Sequence, residues 1–212
     1  MVDSILFDLD GTLWNSVRAI LPAWQKVAWE EAGTYLQYDD LASIMGLTPP
    51  EIGAKFFPGF PPEEQERLAM RGCREECVGL SETGGDLYPG VEETLRSLSR
   101  KYPLIIVSNC MDGYIQAFLK AHHLGACFVD YEYPERSGLL KDGNIRLVVE
   151  RNHLSHPVYI GDTQKDADAA AAAGVPFLFA SYGFGTVKKE DYLYSLGDFR
   201  QLPEILSRIS DN

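Results

Sequence analysis

Basic side chains are scarce in this chain of 212 residues: 19 Lys plus Arg stand against 31 Asp plus Glu, a formal net charge of −12. So acidic a chain is a poor match for nucleic acid or for an anionic membrane. A phosphate-bearing ligand also needs a local exception to that field. Long apolar runs are missing as well. No stretch approaches the roughly 20 residues of a membrane-spanning helix, so no membrane span is expected. The chain runs into an apolar strand at once, which predicts no signal peptide. Cysteine is sparse, with only Cys73, Cys77, Cys110 and Cys127. No further Cys or His pair complements Cys73 and Cys77, which argues against a zinc site, and reduced thiols in the cytoplasm are the expectation. The four His residues fall in no motif. What remains is ordinary for a globular protein, 45% hydrophobic. The length allows one domain of substantial core, or a core carrying an inserted lid.

Against that background two acidic clusters stand out. Ser4 to Phe7 is a brief apolar run ended by a Gly-containing turn, which predicts a buried strand followed by Asp8-Leu9-Asp10-Gly11-Thr12. Alternation puts both carboxylates on one side where the strand ends. Two acids held side by side repel, so the arrangement needs a cation or a shared proton. Val158 to Ile160 is a second such run, followed by Gly161-Asp162-Thr163-Gln164-Lys165-Asp166 and an Ala-rich helix that stops at Gly174. Asp166 alone reads as a charge in the first turn of a helix. Two clusters, each after a β-type run and before a turn, point into one crevice of a parallel sheet. A third buried run, Leu104 to Val107, ends in Ser108-Asn109. A hydroxyl and an amide there can donate to an oxyanion, and Ser108 can cap the next helix as well. Lys141 lies just before a helical pattern over 144–152. By itself it reads as a surface charge, and its place in the order gives it weight.

That order is Asp8-x-Asp10-Gly11-Thr12, then Ser108, then Lys141, then Gly161-Asp162-x-x-x-Asp166. It resembles the haloacid dehalogenase superfamily over nearly the whole chain, most closely phosphatases of the phosphoglycolate phosphatase type with a helical cap. The resemblance implies Asp8 as nucleophile and Asp10 as general acid and base. Ser108, Asn109 and Lys141 would bind the phosphoryl group. Asp8, the main-chain carbonyl of Asp10 and Asp162 would hold Mg²⁺, with Asp166 supporting the metal site. Two positions depart from the usual pattern: Asn15 stands where many relatives have an acid, and Asp142 follows Lys141 where Pro is common.

Elementary chemistry favours the same assignment. A phosphomonoester is close to dianionic at neutral pH. At an effective dielectric of 20, two unit charges 4 Å apart cost about 4 kcal/mol, so several bare carboxylates would exclude it. One divalent cation and one Lys reverse the local field. Hard oxygen ligands with no nearby His or Cys suit Mg²⁺ better than Zn²⁺. A carboxylate nucleophile gives an acyl phosphate and splits one hard step into two. A second carboxyl protonates the leaving alcohol, then takes a proton from the attacking water. A carbon–halogen bond has no leaving alcohol to protonate, so Asp10 favours phosphoryl transfer.

The expected fold is α/β, a doubly wound parallel sheet of Rossmann-like type with an inserted α-helical cap. Residues 1–14 and 86–212 would form the catalytic core, and 15–85 the cap. Helical spacing covers 15–32, 39–45, 50–57 and 63–80, and strand signals vanish there. Later helices are expected at 91–101, 112–123, 144–152, 165–173 and 199–209, with strands at 104–107, 128–129, 158–160 and 177–180. A lid over the crevice would exclude water and read substrate groups beyond the phosphate. Trp14, Asn15 and Gly46-Leu47-Thr48 are candidates to face it, although packing explains Trp14 better. Cys110 reads as a small packing residue near the site. The leading function is a Mg²⁺-dependent phosphatase of a small phosphorylated metabolite, phosphoglycolate by resemblance. A phosphosugar mutase on the same scaffold is the alternative. A non-catalytic binding module is disfavoured, because it has no need of Asp8, Asp10, Lys141 and Asp162 together.

Overall fold

The computed structural model describes residues 1–210. Its strands, in chain order, are β1 (Ser4–Phe7), β2 (Trp14–Asn15), β3 (Asp86–Leu87), β4 (Leu104–Val107), β5 (Asp130–Glu132), β6 (Pro157–Gly161), β7 (Phe177–Ala180) and β8 (Tyr194–Leu196). Six of them form one sheet in the order β5-β4-β1-β6-β7-β8, and every pairing in it is parallel. β1, β4, β6 and β7 are buried along their whole length. This matches their uninterrupted apolar sequences, because a parallel sheet is covered on both faces.

The helices are α1 (Val17–Ala32), α2 (Tyr38–Ala42), α3 (Pro49–Phe56), α4 (Pro62–Thr83), α5 (Val91–Leu98), α6 (Tyr114–Ala121), α7 (Pro134–Ser137), α8 (Lys141–Arg151), α9 (Gln164–Ala173) and α10 (Leu202–Ser210). Alternate strand residues serve two cores. Leu6, Ile105, Val107 and Tyr159 meet Ile145, Val148, Ala167 and Ala170 of α8 and α9. Ile5, Phe7, Ile106 and Ile160 face the other way, into the larger core that continues through α1 and α4. The architecture is the doubly wound α/β sheet read from the sequence, with a helical insertion.

That insertion, α1 to α4, leaves and returns through an antiparallel ribbon in which Trp14 pairs with Leu87 and Asn15 with Asp86. The first helix therefore starts at Val17, two residues later than its spacing predicts, because Asn15 is committed to the ribbon. α1 packs on α4 at Trp24, whose ring lies where a Cβ on Gly72 would sit 2.6 Å away, so only glycine admits this approach. The strand expected at 128–129 forms instead at Asp130–Glu132. A 3₁₀ turn at Gly125–Cys127 precedes it, and Phe128 packs edge-on against Phe7 rather than pairing. β8 and α7 carry no signal because each is only three or four residues long. Residues 211–212 of the expected core lie outside the described residues.

Candidate active site

β1 lies at the point where the chain reverses its direction of travel across the sheet, between β4 and β6. Open α/β sheets bind ligands in the crevice at such a point, beyond the carboxyl ends of the strands. Phe7 is in register with Ile106 on one side and Ile160 on the other. Asp8, Ser108 and Asp162 thus emerge from neighbouring strands at the same end of the sheet. Asp8 N–H donates to the Ile160 carbonyl at 2.8 Å and Ser108 N–H to that of Glu132 at 3.2 Å, which fixes the exits of both strands.

The carboxylates of Asp8, Asp162 and Asp166 come together, each offering an oxygen within 4.8 Å of the others, and all three are buried. Lys141 opens α8 and is buried with them, at 6% exposure. Its Nζ donates to Asp8 Oδ1 at 2.7 Å and to Asp166 Oδ1 at 2.6 Å. Asp166 is held by its own helix start. Its Oδ2 accepts from Thr163 N–H at 3.0 Å and from Thr163 Oγ1 at 2.6 Å, while Thr163 caps the helix in return. Asp162 Oδ2 accepts from the backbone N–H groups of Phe184 and Gly185 at 2.7 and 3.3 Å. Backbone must approach closely here. Gly11 has φ +78°, and a Cβ on it would fall 2.1 Å from Asp162 Oδ2.

Three carboxylates share one ammonium group, and the surplus is visible at Asp8 and Asp162. Burial pushes Asp8 up to about 7, against the pull of Lys141 and with Asp166 and Asp10 adding to the rise. Burial, then Asp166 and Asp8, hold Asp162 well above the usual carboxylate range. Burial alone would lower Lys141, but Asp166 and Asp8 overcome it and keep the ammonium charged. The donor set is all hard oxygen and carries excess negative charge. It fits a divalent cation, which would restore ionised carboxylates.

Asp10 stands apart from that group. Its Oδ1 accepts from Ser16 Oγ at 2.5 Å and Tyr114 OH at 3.0 Å. Burial pushes its carboxyl up to about 6, with the Ser16 and Tyr114 hydrogen bonds opposing. It therefore titrates near neutrality and lines a cavity of about 50 Å³ with Asp8, Ser108 and Asn109. The opposite wall comes from the inserted helices, through Trp24, Ile44, Leu47, Ile52 and Glu76. Asn109 Nδ2 donates across the gap to the Gly46 carbonyl at 3.4 Å. Lys165 of α9 pairs with Glu51 of α3 outside it.

Several sequence candidates find simpler places. Trp14 is fully buried, with Tyr114, Phe118 and His122 edge-on around it. Asn15 donates to Tyr38 OH, and Thr48 caps α3. Cys110 does line the cavity, but burial holds its thiol well above the ordinary range, so it remains protonated. Ser16, Tyr114 and Glu76 were not legible as site residues. Only Glu76 left a trace, as an acid within the buried stripe Leu68, Ala69, Gly72, Cys73 and Leu80 of α4.

Residues 5–180 match the haloacid dehalogenase-like hydrolase family. The chain belongs to that family. A phosphoglycolate phosphatase of Rhodobacter capsulatus is 28% identical over 218 residues, covering 97% of each chain. One from Escherichia coli K12 is 25% identical, over 86% of this chain and 82% of that protein. Among solved structures, a haloacid dehalogenase-like hydrolase from Bacteroides fragilis superposes with a TM-score of 0.83 at 23% identity, over 95% of this chain and all of that one. A β-phosphoglucomutase from Clostridium difficile shares the fold with a TM-score of 0.77 at 17% identity, over the full length of both.

Proposed function

We propose that the protein is a Mg²⁺-dependent phosphatase that hydrolyses a small phosphomonoester through a phosphoryl group carried on Asp8. The carrying observation is Lys141 bridging buried Asp8 and Asp166 beside Asp162, with Asp8 and Asp10 lining one cavity. Asp8, Asp162 and the main-chain carbonyl of Asp10 would hold Mg²⁺, with Asp166 in support. The ion's contribution is to neutralise charge between a dianionic ester and the carboxylates. Ser108, Asn109 and Lys141 bind the phosphoryl oxygens. Asp8 attacks phosphorus while Asp10 gives its proton to the departing alkoxide oxygen. Asp10 then accepts a proton from water, whose oxygen attacks the phosphorus of the acyl phosphate, releasing phosphate and the Asp8 carboxylate.

Residues 1–14 and 86–212 act as the catalytic core in this reading, with 15–85 as a cap. The curated relatives named phosphoglycolate phosphatase support the reaction class. Four free thiols suit a cytoplasmic setting, and the net charge of −12 disfavours nucleic-acid partners.

The test is phosphate release from p-nitrophenyl phosphate and a panel of small esters, with Mg²⁺ and with EDTA. Release that EDTA stops, Mg²⁺ restores and Asp8→Asn abolishes is the expected result. Turnover by Asp8→Asn, or glucose 1-phosphate isomerised without free phosphate, overturns the reading.

A further inference from the structure

Glu76 sits on α4 in an otherwise apolar stripe, and its carboxyl is buried at 7% exposure. Trp24 Nε1 donates to its Oε2. Among the described residues nothing hydrogen-bonds Oε1. The side chain lines the cavity across from Asp8 and Asp10. Among the described residues it is the only acidic or basic side chain that the inserted helices contribute to that wall, apart from the Cys73 thiol. Its neighbours there include Ile20, Ile44, Leu47 and Ile52, and no Lys, Arg or His among the described residues lines the cavity. Burying a carboxyl is unfavourable, and a Leu or Met would complete the stripe without that penalty. A polar group that is half-satisfied, buried and open to a ligand cavity calls for a partner.

We propose that Glu76 selects the substrate through its leaving group, and that this group is a short uncharged alcohol bearing a hydroxyl beyond the ester oxygen. The proposal rests on the phosphatase reading and narrows it. It excludes as preferred substrate an ester whose far end is anionic, phosphoglycolate included. With phosphate held at Asp8 and Lys141, the glycolate carboxylate would enter a wall that offers it no cation. If Glu76 is ionised, two carboxylates meet. If Glu76 is protonated, the pair shares a proton and one uncompensated charge stays buried. A hydroxyl avoids both. It accepts from a protonated Glu76 or donates to Oε1, and its carbons meet the aliphatic wall. Burial pushes Glu76 up to about 8 against the Trp24 hydrogen bond, so at neutral pH the carboxyl is available as a donor. The cavity is small, about 50 Å³, which favours a short chain.

The experiment compares kcat/KM for glycerol 3-phosphate, 2-phosphoglycolate and O-phosphoethanolamine, esters of similar size with neutral, anionic and cationic far ends. The neutral ester should exceed phosphoglycolate by about tenfold or more. Glu76→Met should collapse that ratio, and Glu76→Gln, which keeps an acceptor for Trp24 and a neutral donor, should retain it. Circular dichroism and thermal unfolding check that both variants fold. A second arm titrates the same esters calorimetrically into Asp8→Asn with Mg²⁺, giving a Kd order that does not depend on turnover. Phosphoglycolate binding as tightly as glycerol 3-phosphate overturns the proposal. So does a preference for the cationic ester, or a ratio unmoved by Glu76→Met. Absence of phosphate release from every ester, p-nitrophenyl phosphate included, defeats the phosphatase reading instead, and the Kd order still decides the role of Glu76.

Discussion

Replacing Glu76 by Gln should stabilise the substrate-free protein, and by an amount that grows with pH. A glutamate in the unfolded chain loses its proton near 4.5, whereas burial delays that loss to about 8 in the folded protein. Below 4.5 both states hold the proton and Glu76 adds no pH dependence. Between the two values the unfolded chain has released a proton that the folded one still binds, so stability falls by about 1.4 kcal/mol per pH unit. Above 8 both are ionised and the loss is complete. Gln does not titrate, and its carbonyl still accepts from Trp24 Nε1. The gain of Glu76→Gln over wild type should therefore be about 1 kcal/mol at pH 5, about 3 at pH 7 and about 4 to 5 at pH 8.5. For a chain of this length the pH 7 gain corresponds to about 6–12 °C in Tm. Urea unfolding of both proteins at these three pH values, in EDTA, measures it directly. Titrating groups that do not interact with Glu76 are common to the pair and cancel, and Asp10, whose charge adds to the rise at Glu76, contributes in the same direction. A difference that stays constant from pH 5 to 8.5 would refute the reasoning, because it would mean that Glu76 ionises in the folded protein as it does in water.

Two further substitutions separate roles around the strand ends. Asp10→Asn should slow hydrolysis of an alkyl phosphate by about 10²–10⁴-fold, and that of p-nitrophenyl phosphate far less, because a good leaving group needs no proton; equal losses would remove leaving-group protonation from Asp10. Lys141→Met strands Asp8 and Asp166 without their ammonium partner, and should cost about 3–5 kcal/mol of stability in EDTA. Saturating Mg²⁺ should recover much of this, and an equal loss with and without the ion in urea unfolding would break the link between the carboxylates and the metal.

The parts of the fold that were legible are those where one residue pattern has one physical outcome. Leu104 to Val107 can be little else than a covered strand, and Thr163 with Asp166 followed by alanines and Gly174 spells a capped helix with a left-handed stop. The acidic residues were readable for the same reason: repelling groups at strand ends require a counterion, and Lys141 supplies part of it. Elements set by tertiary pairing were not readable. Asn15 continues the helical spacing of α1 towards the N-terminus, yet it and Trp14 pair with Asp86 and Leu87 from the far end of the insertion. Phe128 has β propensity but is drawn into the aromatic contact with Phe7, which delays the strand to Asp130. Site residues that act through long-range contacts share this limit. Tyr114 meets Asp10 and Ser16 only because α6 folds back beneath the insertion.

Three carboxyls that burial disfavours are concentrated in one place. Asp8, Asp10 and Glu76 are each pushed above the usual carboxylate range by burial, and all three line the same cavity. Elsewhere the acidic surplus is dispersed into partly solvated pairs such as Arg71 with Glu30, Glu31 and Glu75, where it costs little. Cores on both faces of the sheet hold the end of β1 in place, and the packing of α1 and α4 in the larger core holds Glu76 across from it, so the three carboxyls cannot relax apart. Each has a different remedy. Asp8 is relieved by a cation, Asp10 by a proton it can pass on, and Glu76 by a hydrogen-bonding guest. A site built this way is least stable when empty. Binding of ion and ester removes penalties that folding alone leaves in place, so selectivity arises from what the cavity lacks as much as from what it contains. An ester whose far end is anionic leaves the penalty at Glu76 in place.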